Sequence, residues 1–222
     1  SDFNVAVGEL AMGTGAVSGA IYNTAIGYKA LEDATSGDAN VAVGSFAGAN
    51  TTTGVSNVAI GAYDGTDYGA LHINTVGKYN IAIGTGALAQ INDDSNDASI
   101  AIGHKAGYRK VGTGSQYSKV DILIGYASGA QLTTGNYNTA IGHSTMGGDI
   151  TGTALTGANN VVVGYGAGYQ MEGQSDGNTL VGSQAGADLT TGDTNTAVGY
   201  GAGADLTTGG NNTVVGAGAG DL

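Results

Sequence analysis

Small and hydrophobic residues recur along this chain in one short pattern, N-[V/I/T]-A-[V/I]-G. It occurs twelve times, and its closing glycines are Gly8, Gly27, Gly44, Gly61, Gly84, Gly103, Gly125, Gly142, Gly164, Gly182, Gly199 and Gly216. Successive glycines are 17 to 23 residues apart, and 17 is the commonest spacing. Such a period is typical of a solenoid, in which each repeat forms one coil and longer repeats carry insertions.

The hydrophobic columns of the repeat predict a short strand. The residue before the glycine is Val or Ile in all twelve copies, and the residue two places earlier is Val, Ile or Thr. These two columns share one strand face, and their β-branched side chains indicate that this face lies against a core. The column between them is Ala in eight of the twelve copies and points to the opposite face, where its small size favours close packing.

The remaining columns predict corners and turns. The residue four places before the glycine is Asn in ten copies, with Ser99 and Asp121 as the exceptions, and stacked Asn side chains can form a hydrogen-bonded ladder. A column that is mostly Ala, three residues after the glycine, indicates a second short strand or a bend. The sequence "TTG" in four coils predicts a turn with its glycine in the left-handed region. These glycines are Gly54, Gly135, Gly192 and Gly209.

Composition narrows the fold class. Gly makes up 43 of 222 residues without Pro or a triplet period, which excludes collagen, and 41% hydrophobic content argues against disorder. No 3.6-residue stripe persists, so a helical fold is excluded. The sequence predicts an all-β parallel β-solenoid of about twelve 17-residue coils, in one domain over residues 1–222. Because the chain begins and ends within a repeat, we expect it to be a fragment of a longer fibre protein.

The net charge and the small size of each coil limit the kinds of partner that the chain can bind. The net charge of −12 argues against nucleic acid, and no apolar run is long enough for membrane insertion of this segment. With no Cys and no recognisable triad, we expect no enzyme, no cofactor and no metal, although the pair Asp64 and Asp67 leaves glycosidase chemistry open. A 17-residue coil buries few apolar side chains, so we expect a homo-oligomer in which the Ala column lets a neighbouring chain approach.

Several copies of the repeat resemble a known family. "NTAIGYKAL", "NVAVGSFAG", "NTAIGHSTM" and "NTAVGYGAG" resemble head repeats of trimeric autotransporter adhesins. The added "TTGxxN" is similar to repeats of bacteriophage tail-fibre proteins and phage-like fibre adhesins of bacteria. The resemblance covers essentially the whole chain. It implies a left-handed β-roll wound as a homotrimer, located outside the cell or on a virion, that binds a host surface.

Insertions mark candidate binding loops, because solenoid insertions map to surface loops. The coil after Gly61 is six residues over length, and aromatic rings beside carboxylates suit a glycan, although the same side chains could simply solvate a loop. Its candidate ligand-binding residues are Tyr63, Asp64, Asp67, Tyr68, His72 and Tyr79. The coil after Gly103 gathers four of the six basic residues and suits an anionic sugar, a phosphate or an acidic partner. Its candidates are Lys105, Tyr108, Arg109, Lys110 and Tyr117.

Two further patterns have structural alternatives. The acidic stretch 92–97 could balance the basic cluster or bind Ca²⁺, although it lacks the spacing of known calcium loops. Tyr or His follows the repeat glycine in six copies, which predicts an outer aromatic ladder or a sugar-binding stripe. The favoured function is an extracellular adhesive trimeric fibre segment that binds a cell-surface glycan or envelope component. The alternatives are a passive rigid spacer and, from the Thr pairs, an ice-binding solenoid.

Overall fold

The computed structural model describes residues 3–13, 18–91, 98–111, 120–148 and 151–220. Within these ranges the chain has no helix and contains twelve three-residue strands. The strands are β1 (Val5–Val7), β2 (Thr24–Ile26), β3 (Val41–Val43), β4 (Val58–Ile60), β5 (Ile81–Ile83), β6 (Ile100–Ile102), β7 (Ile122–Ile124), β8 (Thr139–Ile141), β9 (Val161–Val163), β10 (Thr179–Val181), β11 (Thr196–Val198) and β12 (Thr213–Val215).

The chain divides into two compact units. Unit 1 comprises Ser1–Lys105 with Arg109–Val120 and contains β1–β6, and unit 2 comprises Ala106–Tyr108 with Asp121–Leu222 and contains β7–β12. Within each unit every strand pairs in parallel with the next, and equivalent columns are in register. The prediction of an all-β parallel β-solenoid is therefore confirmed. That of a single domain stays a prediction.

The strand faces are the reverse of the prediction. The central residue is buried in ten of the twelve described strands, and the exceptions, Ala6 and Val214, lie in the first and last. The flanking β-branched residues are not buried in any of these strands; Ile26, for example, is 40% exposed and Val161 is 41% exposed. The Ala column therefore forms the core of the roll, and the Val and Ile columns form its outer face.

The narrow interior explains this orientation. Larger core side chains fit only where a facing residue is glycine: a Cβ at Gly129 would lie 2.8 Å from Leu123, and one at Gly186 would lie 2.9 Å from Leu180. Where the central residue is Ala, as at Ala82, the turn can supply a buried Leu such as Leu88. Because a 17-residue coil has so small a cross-section, its interior is filled mostly by Ala, with an occasional Leu or Met.

The glycine that ends each strand stacks on its copy in the next coil. Gly27 has φ +134°, and a Cβ there would lie 2.6 Å from the carbonyl carbon of Gly44. The glycines of "TTG" act differently from the prediction, because none of the four has a positive φ. At Gly54 a Cβ would lie 2.6 Å from the carbonyl oxygen of Gly77, so close stacking, and not left-handed geometry, excludes a side chain there.

The predicted Asn ladder is confirmed in both units. Asn57 is typical: its backbone N–H and its Nδ2 both donate to Oδ1 of Asn40, at 3.0 and 3.1 Å, and Nδ2 also donates to the carbonyl of Gly77. Ser99 continues the ladder in unit 1 through its backbone N–H, and Asp121 in unit 2 accepts from Asn138. The ladder gives partners to polar groups that the coils bury.

Candidate functional site

The longest insertion forms a loop on the outside of unit 1. This insertion loop, residues 62–69, is closed at its base by the Ala70 N–H, which donates to the Gly61 carbonyl at 3.1 Å. The next coil holds both ends, because Thr85 Oγ1 donates to the Ala62 carbonyl and the Gly86 N–H donates to the Tyr68 carbonyl. The loop is therefore closed at its base within its own coil and is tied to the next coil by two hydrogen bonds.

Aromatic side chains from this loop and the preceding coil form a shallow pocket of about 270 Å³. Its lining residues are Phe46, Tyr63, Tyr68 and His72. The rings of Tyr68 and His72 are stacked with centroids 4.8 Å apart, while Phe46 meets Tyr63 edge-on at 5.6 Å. The exposed Tyr63 and Tyr68 leave ring surface open to solvent. We call this the aromatic pocket.

The surroundings of the pocket disfavour the charged form of its histidine. Burial lowers the pKa of His72 below its ordinary value of 6.5, against smaller opposing effects from the Phe46 carbonyl and from Asp33 and Glu32. Next to the pocket, the Lys29 ammonium lies 5.5 Å from the Phe46 ring centroid and forms an ion pair with Glu32 at 2.9 Å. This ion pair raises the pKa of Lys29. The pocket is thus a neutral aromatic surface with a cation at its edge.

The two insertions of unit 1 meet at Asp67. Its Oδ2 lies 3.1 Å from Nε2 of His104, and its Oδ1 pairs with the Lys105 ammonium at 2.9 Å. Asp67 is 9% exposed, so its charge is largely removed from water and needs these partners. The sequence treats the loops as separate sites, whereas the structure joins Asp67 from the first to Lys105 from the second.

Asp64 lies beside this cluster and is held by the loop backbone. Its Oδ1 accepts hydrogen bonds from the N–H groups of Asp67 and Thr66, at 2.8 and 2.9 Å. These bonds, that of Asp67 first, lower the pKa of Asp64 below its ordinary value of 3.8. Ligand atoms of Asp64, Asp67 and His104 all lie within 4.8 Å of one another.

The other predicted site residues lie elsewhere. Tyr79 is exposed at the corner before Asn80 and does not line the pocket, and Tyr108 and Arg109 are partly exposed. Lys110 is fully buried, and its part in ligand binding stays a prediction. Tyr117 and the acidic stretch 92–97 lie outside the described residues.

Phe46 contributes to the pocket but was not among the predicted site residues. It is one of only two Phe in the sequence and lies two residues after Gly44, the repeat glycine of the coil before the insertion. Since parallel stacking places equivalent positions of adjacent coils side by side, that rarity and position could have indicated it.

Unit 2 contains the predicted aromatic ladder and two clefts. Tyr126, His143 and Tyr165 stack in succession, with centroid distances of 4.8 and 5.4 Å. Clefts of about 320 and 340 Å³ both include Tyr169 in their lining. The ladder prediction is confirmed in this unit.

The chain has no match among known proteins: no protein-family model, curated protein or solved structure matches it. Within the described ranges the chain has no helix with the length and hydropathy of a membrane span.

Proposed function

We propose that this chain is a segment of an extracellular fibre, on a bacterial surface or a virion tail, that assembles as a left-handed homotrimer. It displays the aromatic pocket to a glycan or envelope component of a target cell and catalyses no reaction. The observation that carries this proposal is the pairing of a stiff repetitive roll with one insertion that builds an aromatic surface. The resemblance of the repeats to adhesin heads and tail-fibre repeats supports the same function.

The pocket has the chemistry of a weak carbohydrate site. Tyr63 and Tyr68 offer exposed ring faces on which the C–H face of a sugar can stack. The adjacent carboxylate of Asp64 is an acceptor for sugar hydroxyls. Its volume of about 270 Å³ is below the roughly 300–1,000 Å³ of ordinary ligand pockets, so it suits one sugar ring. Three copies on one fibre would raise the overall strength of attachment by avidity.

The outer β-branched face supports self-association. Val and Ile side chains flank every strand on the side away from the core, and several are more than a third exposed. Exposed apolar side chains that recur at equivalent positions of successive coils offer a surface for protein–protein contact. The neighbouring copy therefore approaches the Val and Ile columns, in place of the Ala column that the sequence favoured. Every described strand presents a β-branched residue at the same two outer positions, which are Val, Ile or Thr in the first column and Val or Ile in the last.

Binding to a glycan array by the purified assembly tests the adhesive function. We expect selective glycan binding that falls at least about fivefold in the double variant Tyr63→Ala/Tyr68→Ala, because each stacked aromatic ring contributes about 0.5–1.5 kcal/mol. Tyr137→Ala, at an exposed corner of unit 2, is the matched control and should bind as the wild type does. Wild-type protein that binds no glycan, or a double variant that binds unchanged, would contradict the proposal.

A passive spacer is the second candidate, and the plain coils of residues 182–216 favour it. Their polar side chains bond largely to the neighbouring coil, as Asn195 does with Asn178 and Gly209. Deleting residues 183–199 removes one coil and keeps the columns in register, because Gly182 and Gly199 are equivalent. A spacer predicts a shorter fibre with cell attachment unchanged, and no attachment by this segment alone.

A further inference from the structure

The cluster of Asp64, Asp67 and His104 has a use beyond an ion pair. It is the one group of three such side chains within the described ranges whose ligand atoms converge, and it draws on two coils that are not adjacent. We propose that these three residues bind a divalent first-row transition-metal ion, for which Zn²⁺ is the probe. The site lies in unit 1, where the insertion loop contacts the coil of His104.

The distances fit such an ion after a small closure. Zinc binds imidazole nitrogen and carboxylate oxygen at about 2.0–2.2 Å, which places neighbouring ligand atoms about 3.3–3.5 Å apart in a tetrahedral site. His104 Nε2 and Asp67 Oδ2 are already 3.1 Å apart. The widest separation in the group is no more than 4.8 Å, so that pair must close by up to about 1.5 Å to reach the tetrahedral spacing.

Each carboxylate is oriented through an oxygen that is already bonded. Lys105 holds Oδ1 of Asp67, which leaves Oδ2 directed at the imidazole, and two backbone N–H groups hold Oδ1 of Asp64. Metal-binding carboxylates commonly have such outer partners, which fix the ligand before the ion arrives. Lys105 therefore acts as a positioning residue, and its charge lowers the net negative charge that an ion must offset.

The ligand types select the metal. Imidazole suits Zn²⁺ and its transition-metal neighbours, whereas Ca²⁺ and Mg²⁺ prefer sets made of oxygen alone. Three protein ligands leave a fourth position for water or an added oxygen ligand. The proposed site therefore discriminates against Ca²⁺ and Mg²⁺ and keeps one exchangeable position.

An ion here would also fix the aromatic pocket. Tyr63 and Tyr68 immediately flank Asp64 and Asp67, so a metal that ties the loop to the coil of His104 would restrain both rings. This consequence rests on the proposed glycan function, whereas metal binding itself does not.

Calorimetric titration of the full chain with Zn²⁺, and separately with Ca²⁺ and Mg²⁺, tests the site. We expect one Zn²⁺ per chain and at least tenfold weaker binding in His104→Gln and in Asp67→Asn. The control His143→Gln removes a histidine from the ladder of unit 2 and should bind as the wild type does. Unfolding curves in metal-free buffer check that each variant is folded. If Asp67→Asn does not fold, His104→Gln alone tests the metal site.

Three results would overturn the proposal: no Zn²⁺ bound by the wild type, equal binding in His104→Gln, or Ca²⁺ binding as tight as that of Zn²⁺. The glycan array separates the two proposals. Zn²⁺ binding without any glycan binding contradicts the adhesive function alone, and glycan binding without Zn²⁺ binding contradicts the metal site alone.

Discussion

The regular coils at residues 182–216 and the insertion coil at residues 61–84 share the same repeat but differ in what their side chains contact. In the regular coils, backbone and Asn groups bond to their copies one coil away, and twelve of the seventeen residues in 183–199 recur at the equivalent positions of 200–216. In the insertion coil the added residues have no copies one coil away. Their side chains contact aromatic rings, a histidine and a lysine. Stacking thus limits which residues the regular coils can carry, whereas the candidate binding residues gather around the inserted loop.

Glycine substitutions should show the difference most strongly. Gly199→Ala adds a Cβ 2.6 Å from the carbonyl oxygen of Gly216 at φ +136°, whereas Gly65→Ala in the insertion loop, at φ +100°, meets nothing within 4 Å. We expect Gly199→Ala to destabilise by at least about 2 kcal/mol, since overpacking and backbone strain each cost about 1–3 kcal/mol. Gly65→Ala should lose only the stability that backbone strain costs, because its added Cβ meets no neighbouring atom. Urea unfolding at fixed protein concentration measures both, and equal losses would contradict the stacking account.

Removing side-chain hydrogen bonds should have the second-largest effect on the free energy of unfolding. Asn195→Ala leaves the Asn212 N–H and the Gly209 carbonyl without their bonds to this side chain, and we expect a loss of about 2 kcal/mol or more. In the insertion loop, Tyr63→Phe removes an exposed hydroxyl bond to the Gly65 carbonyl and should change stability by less than about 0.5 kcal/mol. The same unfolding midpoints test this pair, and a larger loss in Tyr63→Phe would reverse the ranking.

Acidification should affect the insertion coil but not the regular coils, and this effect should be the smallest of the three. Because the folded pKa of His72 is below 6.5, the unfolded chain binds more protons, so the stabilisation is complete above pH 6.5 and is lost as pH falls towards the folded pKa. We expect hydrogen exchange, corrected for intrinsic rates, to lose protection in residues 61–84 between pH 7 and 5.5. Residues 182–216 contain no His and should not change. A change that persists in His72→Gln would contradict this cause.

The sequence allowed prediction of the coil register, the Asn ladder and the insertion that carries the site. It did not allow prediction of the inner face. Period-two alternation shows that Val41 and Val43 share one side and Ala42 the other, but only the width of the folded coil decides which is buried. The contact of Asp67 with His104 was missed for a related reason, because residues 37 positions apart meet only when the loop reaches past an intervening coil.

Mass in solution tests most directly the central claim that the outer Val and Ile columns are an interface between copies of this chain. By analytical ultracentrifugation we expect a species near three times the chain mass of 21.6 kDa. The variant Ile83→Lys, which charges this face without entering the core, should shift it towards the monomer. A wild-type mass of 21.6 kDa across micromolar concentrations, with Ile83→Lys indistinguishable from it, would contradict the account.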